Sequence, residues 1–198
     1  MSSSYVFKGE TLISEIVTPL EWTEALALVL GFSLLTALAA QVVLPLPLVP
    51  ITGQTFAVLL TGTLLGSRLG ALAMIAYLVE GASGLPFFQS GHGGAWYLFL
   101  SPTAGYLWSY PAAAFLTGWL AERGWDKRFL TAAAAMALGS ALILLCGWAW
   151  LVRFMPPVAA AHVGVTRFVA GDIIKIALAA AALPIGWSVL RRRASREN

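Results

Sequence analysis

An aspartate and a lysine three positions apart, Asp172 and Lys175, sit in FVAGDIIKIALAAAALPIGW (168–187), a run that is otherwise almost wholly apolar. A carboxylate accepts hydrogen bonds and an ammonium donates them. Residues three apart share one face of a helix, with Cβ atoms roughly 5–6 Å apart. The two side chains can therefore meet one polar solute together, or pair with each other and fasten a bundle. Inside a bilayer each charge costs about 2.5–3.5 kcal/mol at the centre, and ionisable residues kept there mark sites or pathways. The pair predicts a pocket for a polar solute, in which Lys175 either donates to the solute or holds Asp172.

Other polar groups can join that chemistry. Glu80, at the end of the short third apolar run, either borders the same pocket or reaches the outer interface. Gln54, in VPITGQTF (49–56), carries an amide that both donates and accepts, for a ligand or for a helix start. Tyr106, in SPTAGYL (101–107), is suited to stacking on a solute or to an interfacial aromatic belt. His92 lies between glycines in GLPFFQSGHGG (84–94), where it can meet an anion at a pocket mouth or stay solvated.

One pattern points elsewhere. Gly81-Ala82-Ser83-Gly84 resembles the GxSG around the nucleophile of rhomboid-like intramembrane serine proteases, and His162 supplies a base in principle. The context opposes it: Ser83 precedes Leu85-Pro86 at a ragged run end, and His162 lies in a loop. The second apolar run also lacks the histidine and asparagine an oxyanion hole would need. No G-x-x-x-x-G-K-[ST] occurs, so the chain does not hydrolyse nucleotide through a P-loop. No enzyme activity, metal or cofactor is expected.

The elements that position these residues follow from composition. Of 198 residues 59% are hydrophobic and 11% charged, against about a quarter charged in soluble domains. Mean hydropathy is +0.82. The class is an all-α integral membrane protein. A span needs about 20 apolar residues, and six candidates follow at 22–44, 51–66, 69–83, 102–121, 130–152 and 166–189. Lys8, Arg68, Arg123, Lys127, Arg128, Arg191, Arg192, Arg193 and Arg196 then share one side, and Arg153 and Arg167 the other. The positive-inside rule puts both termini in the cytoplasm. Residues 1–21 read as a cytoplasmic arm, 22–190 as the membrane domain and 191–198 as a basic tail. The irregular 45–50, 84–101 and 153–165 connections face outward, so the pocket opens outward. Cys146, the single cysteine, reads as inert packing. Ser33-x-x-x-Ala37, with Ala40 a turn on, allows close helix approach, internally or to a partner.

PLPLVPITGQTF (45–56), GLPFFQSGHGG (84–94), SPTAGYL (101–107) and GDIIK (171–175), in this order and spacing, resemble the BioY family. These are biotin-specific S components, the substrate-capture subunits of energy-coupling-factor (ECF) transporters. The resemblance spans essentially all six runs. Gly53 and Ala104 depart from it, standing where a larger apolar residue and a glycine are common. It implies a six-helix S-component-like bundle in the bacterial cytoplasmic membrane that captures biotin, energised by a transmembrane coupling subunit and two cytoplasmic ATPases. An S component for another vitamin, riboflavin or thiamin, is the neighbouring alternative. It further implies a coupling-subunit contact at Ser33, Ala37 and Ala40. Biotin's ureido N–H groups would donate to Asp172, and its carbonyl would accept from Lys175 or Gln54. Phe87, Phe88, Trp96 and Tyr106 would wall the apolar rings and tail. His92, Arg153, Arg167 or backbone N–H groups would meet the carboxylate.

Overall fold

The computed structural model describes residues 11–16 and 21–197. Most of the arm read over 1–21 lies outside the described residues, as do Asn198 and the side chains of the basic tail. Each of the six apolar runs holds a helix: α2 (Trp22–Ala40), α3 (Gln54–Leu65), α4 (Ser67–Ala82), α6 (Ala104–Ala121), α7 (Phe129–Leu151) and α9 (Arg167–Glu197). Among the described residues three short α-helices accompany them, α1 (Leu12–Ile16), α5 (Ala95–Leu100) and α8 (Pro157–Ala161), the last joined to α9 through a wide turn at His162–Thr166. By length and composition, Trp22–Ala40, Phe129–Leu151 and Pro157–Ser188 can each cross a membrane.

The first run stops earlier than expected. Instead of continuing to residue 44, α2 ends at Ala40, and Val43–Leu44 (β1) pairs antiparallel with Ile51–Thr52 (β2). Pro45, Pro47 and Pro50 supply the reason, because a proline lacks the N–H a helix needs and its ring clashes with the preceding turn. The ribbon brings Thr52 directly into α3, whose first residue is Gln54.

Helix α6 lies at the centre, packed against α3, α4 and α7. Backbones meet there through glycine. A methyl at Gly62 would overlap the Ala114 carbonyl, and one at Gly118 would overlap Gly66 and Ser67. The α3–α4 turn needs Gly66 at φ 86°, and the Glu122 carboxylate accepts from the Ser67 N–H at 2.7 Å.

Burial is inverted relative to a water-soluble bundle. Leu26, Leu30, Leu34 and Leu38 of α2, with Ile173, Leu178 and Ile185 of α9, are exposed, whereas Thr36, Thr61, Thr117 and Ser140 are buried. Polar groups inside with large apolar groups outside suit helices packed in lipid. Thr61 and Thr117 return their hydroxyls to carbonyls one turn back, at 2.7 and 3.1 Å.

Candidate functional site

Asp172 and Lys175 occupy one face of α9 and form an ion pair, Nζ to Oδ1 at 3.7 Å. Asp172 is only 6% exposed, and its other oxygen accepts from the Ser140 hydroxyl on α7. Lys175 reaches across to the start of α3, donating to the Thr52 carbonyl at 2.8 Å and to the Thr55 hydroxyl at 2.9 Å. The pair thus pins α7, α9 and the β2–α3 turn together. Thr52 and Thr55 in turn form part of the wall of a cavity, with Lys175 directly behind them.

That cavity is small: about 20 Å³ is open to the centre of a water molecule, within about 380 Å³ of space that includes open solvent. Gln54, Tyr97, Thr103, Tyr106, Tyr110 and Phe168 contribute to its lining. Gln54 is held on every side. Its Oε1 accepts from the Thr52 hydroxyl at 2.9 Å and from Tyr110 at 3.4 Å, and its Nε2 donates to the Tyr77 hydroxyl at 2.5 Å. Tyr77 passes its own proton to the Phe87 carbonyl at 3.0 Å. Tyr106 presents its ring to the cavity, and its hydroxyl donates to the Gly164 carbonyl at 2.7 Å. The ring stacks on Phe168 at 6.0 Å. Gly147 makes room for it, since a Cβ there would overlap the ring.

The segment 84–94 folds back over this region. Gln41, just after α2, fastens it: Nε2 donates to the Phe88 carbonyl at 3.3 Å, and Oε1 accepts from Gly91 N–H at 2.9 Å. Phe88 fills the space beside Gly81 and meets Tyr77 edge-on at 5.7 Å. Gln89 contributes to the cavity wall. His92 is exposed, bonded through Nδ1 to the Gln89 carbonyl at 2.7 Å and stacked on Tyr97 at 4.8 Å, which puts it one ring from the cavity.

The structure therefore brings together Gln54, Tyr106, Asp172 and Lys175, with His92 one ring away. Other candidates lie elsewhere. Trp96 is 76% exposed and its neighbour Tyr97 faces the cavity instead. The short helix α5 turns adjacent side chains about 100° apart, so one-residue precision was not available from the run of aromatics. Phe87 and Phe88 pack against Tyr77. Glu80 accepts from the Ser33 hydroxyl and so bridges α4 to α2. Ser33, Ala37 and Ala40 are buried, with α2 packed on α4. Of the two uses open to that stripe, internal packing is the one displayed here. Arg153 lies over Trp150 at 4.5 Å, and Arg167 is exposed at the start of α9. Ser83 donates to the Glu80 carbonyl at 2.6 Å, its hydroxyl turned back onto its own helix.

Sequence reasoning missed Thr52, Thr55, Tyr77, Tyr97, Tyr110 and Ser140. Tyr77 and Tyr110 carried a usable signal. A tyrosine in the middle of an apolar run, away from the interface belt, must find its hydroxyl a partner when buried.

Comparison with known proteins gives consistent matches. A probable biotin transporter BioY of Pyrococcus horikoshii is 39% identical over 153 residues, 77% of this chain and 90% of the relative. The biotin transporters BioY of Rhizobium etli and Thermotoga maritima are 35% and 37% identical, over 81% and 75% of this chain and 96% and 87% of theirs. The crystal structure at 2.1 Å of the S-component for biotin from an ECF-type ABC transporter shares the fold, with a TM-score of 0.73 at 24% identity. It covers 87% of this chain and 92% of that one. The BioY family model matches residues 10–192 and so nearly the whole length: the chain belongs to the BioY family.

Proposed function

We propose that this chain captures biotin from outside the cell as the substrate-binding subunit of an ECF transporter. The observation that carries the reading is the ion pair of buried Asp172 and half-buried Lys175, which bonds to Thr52 and Thr55 in the wall of a largely apolar and aromatic cavity. The curated relatives named as biotin transporters support the ligand.

In this reading α2, α3, α4, α6, α7 and α9 cross the cytoplasmic membrane, residues 1–21 and 191–198 lie inside, and the cavity opens outward. The asymmetry of basic residues supports the orientation. At 12 and 16 residues, α3 and α4 are short for a span. The irregular backbone that completes them would line the pocket, where such backbone is tolerated at membrane depth. The ureido N–H groups donate to Asp172. The ureido carbonyl accepts from Gln54 Nε2 or from Lys175, which exchanges its bond to Thr52 for one to the ligand. Tyr106 and Phe168 wall the apolar rings, and the carboxylate lies toward His92. Energy comes from partners, a coupling subunit and two ATPases. Docking of that subunit on Ser33, Ala37 and Ala40 requires α2 to lift from α4 and break the Ser33–Glu80 bond.

Equilibrium binding of biotin to the purified chain tests this. Submicromolar binding is expected, weakened at least a hundredfold by Asp172→Ala, as for loss of a charged hydrogen-bond acceptor at a buried contact. Absent binding, or undiminished binding by the variant, refutes it. A stronger thermal shift with riboflavin or thiamin than with biotin would reassign the vitamin.

A further inference from the structure

We infer that Tyr77 is a positioning residue for ligand recognition: its hydroxyl sets which end of the Gln54 amide is donor and ties that choice to the seating of the 84–94 segment. The inference rests on the reading that Gln54 contacts the bound ligand.

The argument is a count of protons. Gln54, Tyr77 and Tyr110 are all buried, so each polar atom must find a partner nearby. A tyrosine has one proton to give. That of Tyr77 goes to the Phe87 carbonyl at 3.0 Å, which can only accept. Toward Gln54 at 2.5 Å the hydroxyl must therefore accept, and the atom it faces must be the amide nitrogen. Oε1 then faces the hydroxyls of Thr52 and Tyr110, at 2.9 and 3.4 Å, which donate to it.

Those two hydroxyls would not fix the amide alone, because a hydroxyl accepts as readily as it donates. In the reversed orientation Nε2 would donate to Thr52 and Tyr110, and Oε1 would need a proton from Tyr77. Supplying it would strip the Phe87 carbonyl of its donor. The Tyr77–Phe87 bond therefore breaks the tie. It leaves Nε2 with a second N–H beyond the one given to Tyr77, and it leaves Oε1 with both lone pairs occupied. The Gln54 amide then has a donor to spare and no free acceptor, the pattern a ligand carbonyl needs.

The same bond links the site to its cover. Phe87 belongs to 84–94, whose Gln89 contributes to the cavity wall and whose Phe88 and Gly91 are held by Gln41. If that segment lifts, Phe87 withdraws its carbonyl, Tyr77 regains a free proton, and the Gln54 amide loses its preference. A seated cover and a correctly turned amide are thus one state, and a ligand that requires the amide donor favours the seated cover by linkage.

Biotin affinities of the wild type, Tyr77→Phe, Gln54→Ala and the double variant test this. Tyr77→Phe retains the ring contacts to Phe87 and Phe88. It should weaken binding about tenfold, one hydrogen bond's worth. In the Gln54→Ala background the same change should cost under about twofold, because Tyr77 acts through Gln54. Losses that multiply, or full affinity in Tyr77→Phe, overturn the inference, as does Gln54→Ala binding like wild type. Absent binding by the wild type instead sinks the functional reading, and this inference with it. Should Tyr77→Phe fail to fold, hydrogen exchange across 84–94 decides. Saturating biotin should slow it in the wild type and not in Gln54→Ala, and equal slowing in both overturns the linkage.

Discussion

Lys175→Met removes the half-buried cation that pairs with buried Asp172 while keeping a long apolar stem. At the observed 3.7 Å and an effective dielectric of about 20, the Coulomb attraction is about 4 kcal/mol. Two further bonds go with it, to Thr52 and Thr55. Part of that loss is returned, because Lys175 no longer has to be desolvated and both acceptors adjoin the cavity, where water can reach them. Asp172, however, is left with Ser140 as its remaining partner, and breaking a buried pair from one side typically costs about 3–5 kcal/mol. A net loss near 3 kcal/mol lowers the melting temperature by about 6–12 °C for a chain of this size. The informative comparison is Asp172→Asn combined with Lys175→Met, which carries no charge and leaves the Ser140 hydroxyl an acceptor. It should recover most of the lost melting temperature and none of the biotin affinity. The assay is thermal unfolding in detergent beside equilibrium binding on the same preparations. The reasoning fails if Lys175→Met melts within about a degree of wild type, or if the double variant is no more stable than the single one.

Two other outcomes follow from contacts outside that pair. Gln41→Ala frees 86–91 from α2, so amide exchange over that segment should rise several-fold while the helices α6 and α7 keep their protection. Unchanged exchange would show that Gln41 does not hold the cover. Asp126, between α6 and α7, is buried against Trp187, whose indole N–H donates to it at 2.6 Å, while its Oδ1 has no hydrogen-bond partner among the described residues. Burial pushes its carboxyl above the usual range, opposed by the Trp187 bond and by Lys127. A raised folded-state value means a contribution to stability present below the ordinary Asp value, about 3.9, and lost as pH rises through the folded one. Asp126→Asn cannot ionise, so its melting temperature should gain on wild type as pH climbs from about 4 to 7. A difference that stays constant with pH would overturn this.

The helices were legible because glycine and proline punctuate long apolar runs, and all six runs contain one. What the sequence concealed depends on contacts between distant residues. Ser33 and Glu80 are 47 positions apart, and nothing in either run marks one as the other's partner. The β1–β2 ribbon is two residues long on each side, too short to show an alternating pattern, and its neighbouring prolines hid it further. Asp172 and Lys175 stood out from composition alone, since charge inside an apolar run is costly. Their true partners are the Ser140 and Thr55 hydroxyls, of a kind that also occurs in helix packing, and the Thr52 backbone carbonyl, which no residue type marks. Hydroxyls of that kind become informative only once the fold has placed them.

These partners change what binding at the site would have to accomplish. Lys175 is not a bare cation awaiting a ligand. It already donates to a backbone carbonyl and a hydroxyl, and Asp172 already accepts from Ser140. A ureido group entering beside them would exchange bonds more than add them, and an exchanged hydrogen bond contributes little net. Affinity on the proposed reading must therefore come largely from covering the apolar part of biotin with Tyr106, Phe168 and Leu107, which adjoin the cavity. The polar groups would then act mainly through discrimination. A solute lacking the N–H or the carbonyl would break bonds at Asp172 or Lys175 and return none, leaving a buried charge short of partners, which is the costlier error. On the proposed reading, the Asp172–Lys175 pair would serve to reject and the aromatic wall to retain.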